Sequence, residues 1–135
     1  MSLKKLIKKR LPVFILEEPG FLKGFDKKKL RSLKNKWKGQ RCFIIGNGPS
    51  LNKLDLSFLK NEYTFGVNGI FYKTDELKEF KPYFYVVEDS AVMQDNKDRI
   101  NQYDCNYKFF PNIYKRFINN HKNVYYFNMN RGYYE

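Results

Sequence analysis

The sequence predicts an α/β fold, a mostly parallel sheet flanked by helices and preceded by basic N-terminal helices. Three observations predict it. Short apolar runs of strand length recur from residue 42 onward: "CFII" (42–45), "YTFGVN" (63–68), "PYFYVVE" (82–88), "YKFFP" (107–111) and "NVYYFNM" (123–129). Segments of helical spacing separate them, an alternation that favours parallel strands with helices on the sheet faces. Charge is also segregated: residues 1–41 hold 14 Lys/Arg against three acids, and residues 42–135 hold 12 against 11. The net charge of +12 therefore belongs to a leader rather than to the sheet-forming region.

The leader opens with "SLKKLIKKRL" (2–11), where Leu3, Leu6, Ile7 and Leu11 form one apolar stripe at helical spacing. Pro12 ends that helix, and "EEPGFLKGFD" (17–26) reads as a loop. Asp26 caps a second basic helix over 27–38, with Leu30, Leu33 and Trp37 on one side and Gly39 as its stop. Residues 1–38 thus form a basic helical leader and residues 39–135 an α/β region. In that region Cys42–Ile45 reads as a buried strand. Residues 50–60 read as a helix with Leu51, Leu54, Phe58 and Leu59 as its apolar face. Residues 69–80 form a short helix or loop. Further helices are expected over 91–102 and 113–121, each leading into the next strand.

The chain is long enough for one domain with a core. No stretch approaches the roughly 20 apolar residues of a membrane span, and the N-terminus lacks a secretory apolar segment. Cytoplasmic placement follows, with the basic leader either a solvated surface or a peripheral contact to the anionic inner membrane face. Cys42 and Cys105 form no CxxC unit and read as reduced thiols. The closing "MNRGYYE" offers no final element, so the chain reads as the first half of a doubly wound fold.

The chemistry concentrates at Gly46-Asn47-Gly48-Pro49-Ser50, which follows the first strand. A glycine-rich turn between a strand and a helix presents unpaired backbone N–H groups to an anion. Gly46 and Gly48 permit close backbone approach, Pro49 suits a first helical turn, and Asn47 and Ser50 add hydrogen-bonding side chains. The alternative is an ordinary strand-to-helix turn. The third glycine of GxGxxG is missing, and no Gly-Lys-Ser/Thr follows, which excludes a P-loop. Asn68 ends the second strand, and Glu88, Asp89 and Ser90 end the third. Those three either contact a ribose, an acceptor hydroxyl or a metal, or merely cap the next helix. With His121 as the single histidine, no metal set is assembled and none is assigned. No catalytic triad is present, and the aromatics lack the pattern of a base-stacking platform for nucleic acid.

The stretch "KGQRCFIIGNGPSLNKLDLSFLKNEYTFGVNGIFY" (38–72), continued by "KPYFYVVEDSAV" (81–92), resembles bacterial proteins related to the sialyltransferases that decorate lipooligosaccharide. It is more similar still to a neighbouring group of sugar transferases that shares a domain with archaeal-type 6-hydroxymethylpterin pyrophosphokinases. The similarity covers roughly residues 36–130. It implies a Rossmann-like nucleotide-binding region in which Asn47, Ser50 and Asn68 contact the nucleotide of a donor, CMP-linked in the sialyltransferases. Those enzymes carry an asparagine where this chain has Glu88 or Asp89, a departure that weakens CMP-sialic acid as the donor. Their catalytic histidine belongs to a later half, and His121 does not match it, so the catalytic residues stay unassigned. The resemblance implies a nucleotide-sugar-dependent glycosyltransferase, or its nucleotide-binding half, acting on a cell-surface glycan acceptor. The alternatives are Mg²⁺-dependent pyrophosphoryl transfer to a pterin and a non-catalytic homologue.

Overall fold

The computed structural model describes residues 25–78 and 80–129. Five strands form one sheet: β1 (Cys42–Ile45), β2 (Tyr63–Val67), β3 (Phe84–Val86), β4 (Tyr107–Pro111) and β5 (Val124–Phe127). Every neighbouring pair is parallel, and the order follows the sequence from β1 to β5 without reversal. The α/β class and Rossmann-like parallel sheet expected from the sequence are therefore present.

Parallel strands need crossover connections, and right-handed crossovers between strands added steadily in one direction all fall on the same face. That face holds the core. Ile45, Tyr85, Val87, Phe110, Val124 and Tyr126 from the strands cluster there with Leu51, Leu56, Leu59, Ile70, Phe71, Met93 and Ile100 from the connections. The longest connecting helix is α3 (Ser90–Gln102), with α1 (Phe25–Arg31) and α2 (Phe71–Thr74) earlier in the chain. Helix α3 starts where it does because Asp89 accepts the N–H groups of Ala91 (2.8 Å) and Val92 (3.0 Å).

The opposite face is aromatic. Phe65 stacks on Phe84 at 4.8 Å, Phe84 meets Tyr107 at 5.6 Å, and Phe109 meets Tyr125 at 5.4 Å. The chain before β1 covers part of this face. The Lys29 amine on α1 bonds the Val124 carbonyl and lies 4.4 Å over the Tyr125 ring. Trp37 then makes edge contacts with Phe84 (4.8 Å) and Tyr107 (5.1 Å), beside Tyr63 and Tyr83 at the strand starts.

Four local expectations are corrected. The helix expected over 27–38 is α1, which ends at Arg31, and turns carry the chain to Gly39; Asn35 and Gly39 adopt positive φ (63° and 81°) within them. The helix expected over 50–60 is two 3₁₀ turns, Pro49–Lys53 and Ser57–Leu59. Leu54 is extended between them, and Asp55 Oδ1 accepts the Ser57 N–H at 2.9 Å, a local turn that outcompetes the helix. Leu56 is thereby buried beside Leu51 and Leu59, whereas Leu54 and Phe58 are 53% and 72% exposed. The helix expected over 113–121 is a 3₁₀ turn, Asn112–Tyr114, followed by irregular chain. Asn101 tethers this chain by donating to the Phe117 carbonyl (2.8 Å) and accepting the Asn119 N–H (2.7 Å). Finally, β1 is an edge strand rather than a buried one, so Cys42 is exposed and Ile44 is 79% exposed. The stripe at 2–11, the loop at 17–24 and the closing residues 130–135 lie outside the described residues.

Candidate functional site

The C-terminal ends of β2 and β3 are joined by one residue, Asn68. It follows β2 directly in the left-handed region (φ 44°), which asparagine tolerates better than most side chains. Its N–H donates to the Val86 carbonyl (2.9 Å), and its own carbonyl accepts from the Tyr85 hydroxyl (2.7 Å). Its side-chain Oδ1 accepts the N–H groups of Glu88 (3.0 Å) and Asp89 (3.2 Å). The amide is thereby oriented, leaving the Nδ2 donor for a ligand. Asn47 is set the opposite way: its Nδ2 donates to the Val67 carbonyl at 2.7 Å, leaving Oδ1 as an acceptor.

These two amides line a cleft of about 610 Å³ outside the strand ends, with Gly48, Asn52, Tyr72 and Lys73 among its other walls. That volume lies within the range of small-molecule sites. Among the described residues, no protein acceptor engages the backbone N–H of Asn47, Gly48 or Ser50. The Tyr72 hydroxyl is held by Asn96 Oδ1 (2.7 Å), at a position where α3 departs from helical geometry. Arg99 lies 4.6 Å from both the Phe71 and Tyr72 rings, so the exposed Tyr72 ring is braced from behind. Lys73 and Glu76 contribute one positive and one negative side chain to the lining of the same cleft.

The loop divides the other expected residues. Asn47 lies on the polar cleft, whereas Gly46 and Ser50 line a separate apolar groove of about 380 Å³ with Phe43, Leu54 and Phe58; Gly48 borders both. Pro49 starts the first 3₁₀ turn and also lines the polar cleft. The five residues of that turn provide no α-helical dipole, so any anion held here relies on loop N–H groups and on Lys73. Neither loop glycine is demanded by the backbone. Gly48 has φ −66°, a Cβ at Gly46 would meet nothing within 4 Å, and a Cβ at Gly48 would meet only Ser50 Oγ at 3.7 Å. The space in front of the loop is open.

Glu88, Asp89 and Ser90 sit beside the cleft rather than in its wall. Asp89 caps α3, Ser90 is the first residue of that helix, and the Glu88 carbonyl accepts from the Tyr114 hydroxyl at 2.7 Å. Among the described residues, no group of three His, Cys, Asp or Glu side chains is arranged to hold a metal. His121 is exposed before β5, where its carbonyl accepts the Val124 N–H. Sequence reasoning missed Asn52, Tyr72 and Lys73, because they lie off the strand ends and belong to no motif.

No protein-family model, curated protein or solved structure matches this chain.

Proposed function

We propose that this chain forms the nucleotide-binding part of a glycosyltransferase and takes a nucleotide-sugar donor at the Asn47–Asn68 cleft. One observation carries the reading. A fixed acceptor (Asn47 Oδ1), a fixed donor (Asn68 Nδ2), unengaged loop N–H groups and the Lys73 amine share one cleft at the strand ends. A nucleotide offers matching chemistry: an anionic phosphate for the N–H groups and Lys73, and hydroxyls or base edges for the amides. The braced Tyr72 ring suits stacking of the base. The cleft lies at the carboxyl ends of the strands, the end of open parallel sheets that carries ligands, although the described strands do not reverse their order there.

In sugar transfer, an acceptor hydroxyl oxygen bonds to the anomeric carbon while the bond from that carbon to the phosphate oxygen breaks. The electron pair leaves with the phosphate. Loop N–H groups and Lys73 would stabilise that developing charge without reorganising. The contribution of this chain is donor binding and leaving-group stabilisation; no described side chain is assigned to take the acceptor's proton.

Calorimetric titration of the full chain with CMP, UDP and GDP tests the reading. One of them is expected to bind with a Kd below about 1 mM, and Asn68→Asp should weaken it at least tenfold. No binding by any of the three would overturn the proposal. Binding confined to ATP with Mg²⁺ and a pterin would replace it with pyrophosphoryl transfer.

A further inference from the structure

The polar cleft holds a negative charge that phosphate binding does not explain. Glu76 lines it together with Asn47, Asn68 and Tyr72. Among the described residues, no hydrogen bond or ion pair engages the Glu76 carboxylate, and Lys73, three residues earlier, does not pair with it. The side-chain amide of Asn52, on the same lining, is likewise unengaged. A carboxylate repels a phosphate. Glu76 therefore suits the part of a ligand that lies away from the anion-binding loop.

Tyr72 marks where that part lies. Its ring is fixed by three neighbours. Arg99 sits 4.6 Å from the ring centroid, and the hydroxyl donates to Asn96 Oδ1 at 2.7 Å. Gly69 packs so closely that a Cβ there would meet Tyr72 Cδ2 at 3.2 Å and Cε2 at 3.4 Å. The side chain is still 56% exposed, so it keeps an open surface for stacking. Helical geometry continues from α2 through Asp75, whose N–H donates to the Phe71 carbonyl at 3.0 Å. Glu76 follows Tyr72 by four residues, the spacing that makes side chains neighbours along one side of a helical turn. The carboxylate thus stands beside the aromatic platform.

A carboxylate only accepts hydrogen bonds. Guanine presents two neighbouring donors, N1–H and N2–H, to one such group. Adenine and cytosine each present one exocyclic amine beside a ring-nitrogen acceptor, and uracil presents one N–H between two carbonyls. Each of those three sets a lone pair against the carboxylate. An asparagine amide can donate to guanine O6. We infer that the cleft selects a guanine nucleotide, with the base on Tyr72, N1–H and N2–H donated to Glu76, O6 accepting from Asn52, and the phosphates at the loop and Lys73. The inference rests on the nucleotide reading and adds the identity of the base.

Calorimetric titration of the full chain with GDP, IDP, ADP, UDP and CDP tests this. GDP should bind at least about tenfold more tightly than each of the others, the scale of one charge-assisted hydrogen bond. IDP needs no variant: its base keeps N1–H and O6 but lacks the N2 amine, so it isolates one donor to Glu76. Glu76→Gln should weaken GDP at least about tenfold while leaving UDP and CDP within about twofold. UDP or IDP binding as tightly as GDP overturns the inference, as does a GDP preference that survives Glu76→Gln. A Glu76→Gln loss shared equally by all five also overturns it, because the carboxylate then reads the common ribose. Each of these outcomes leaves the nucleotide reading standing, whereas no binding by any of the five removes both.

Discussion

Asn68 Oδ1 accepts the backbone N–H of Glu88 at 3.0 Å, bridging the end of β2 to the chain leaving β3. The same oxygen holds the Asp89 N–H at 3.2 Å, so one side chain sets both the rim of the cleft and the start of α3. The two ends of this amide therefore do separable work. Asn68→Asp keeps an acceptor oxygen for both N–H groups but replaces the free donor with negative charge. It should melt close to wild type while losing nucleotide affinity at least tenfold. Asn68→Ala loses the acceptor and places alanine at φ 44°, and should lower stability by about 1–3 kcal/mol. Urea melts and titration on both variants check this. Equal destabilisation by the two would show that the oxygen is not what matters.

Glycines 66 and 48 should behave oppositely. A Cβ at Gly66 would sit 2.8 Å from Pro82 Cγ and 2.9 Å from Ile70 Cγ2, inside the packed core face. Gly66→Ala is expected to cost about 1–3 kcal/mol through overpacking. Gly48→Ala meets only Ser50 Oγ at 3.7 Å and keeps an ordinary φ, so its melting should be unchanged. Its added methyl would stand in the open space before the loop and should weaken nucleotide binding. A Gly48→Ala variant with wild-type affinity would remove the loop from the site.

The parallel sheet was legible because each strand is a short apolar run followed by a connecting segment, and α3 was legible through Asp89 before its first turn. The failures have local and long-range causes. Leu51, Leu54, Phe58 and Leu59 fit a helical stripe, but Leu56 is the third buried leucine and lies off that stripe. Asp55, placed to accept the Ser57 N–H, breaks the period. The exposure of "CFII" was illegible because strand order depends on contacts between residues distant in sequence, and the run would read alike at a sheet centre. At the site, Asn47 and Asn68 were legible as polar residues at strand ends. Tyr72 and Lys73 were not, since their place depends on how α2 and α3 pack together.

Trp37 is the single tryptophan and contacts four rings at the strand starts. Trp37→Ala should cost about 3 kcal/mol from lost burial and edge-to-face contacts. Because the residue precedes β1, this tests whether the chain before the sheet belongs to its cooperative unit. Circular dichroism melts should shift in midpoint with one transition retained. An unchanged midpoint would show that residues 25–41 dock without contributing to the stability of the sheet.

Lys108 is 4% exposed, and its amine donates to the carbonyls of Ile100 (2.8 Å) and Asn101 (3.0 Å) at the end of α3. Those carbonyls lie in the last turn, where the helix supplies no partner. Lys108→Met keeps most of the stem but removes the donors, and should cost about 1–3 kcal/mol at neutral pH. Burial lowers the Lys108 pKa from its ordinary 10.5, opposed by the nearby Cys105 and Asp104. Between that lowered value and 10.5, the unfolded chain binds more protons at this site than the native one. Native stability attributable to Lys108 therefore rises with pH across that window. A neutral amine still has hydrogens for both carbonyls, so the bonds survive the titration. The gap between wild type and Lys108→Met in urea melts should widen from neutral pH towards 10.5. A gap that stays flat or narrows would mean that the buried amine is charged in the native state at no penalty.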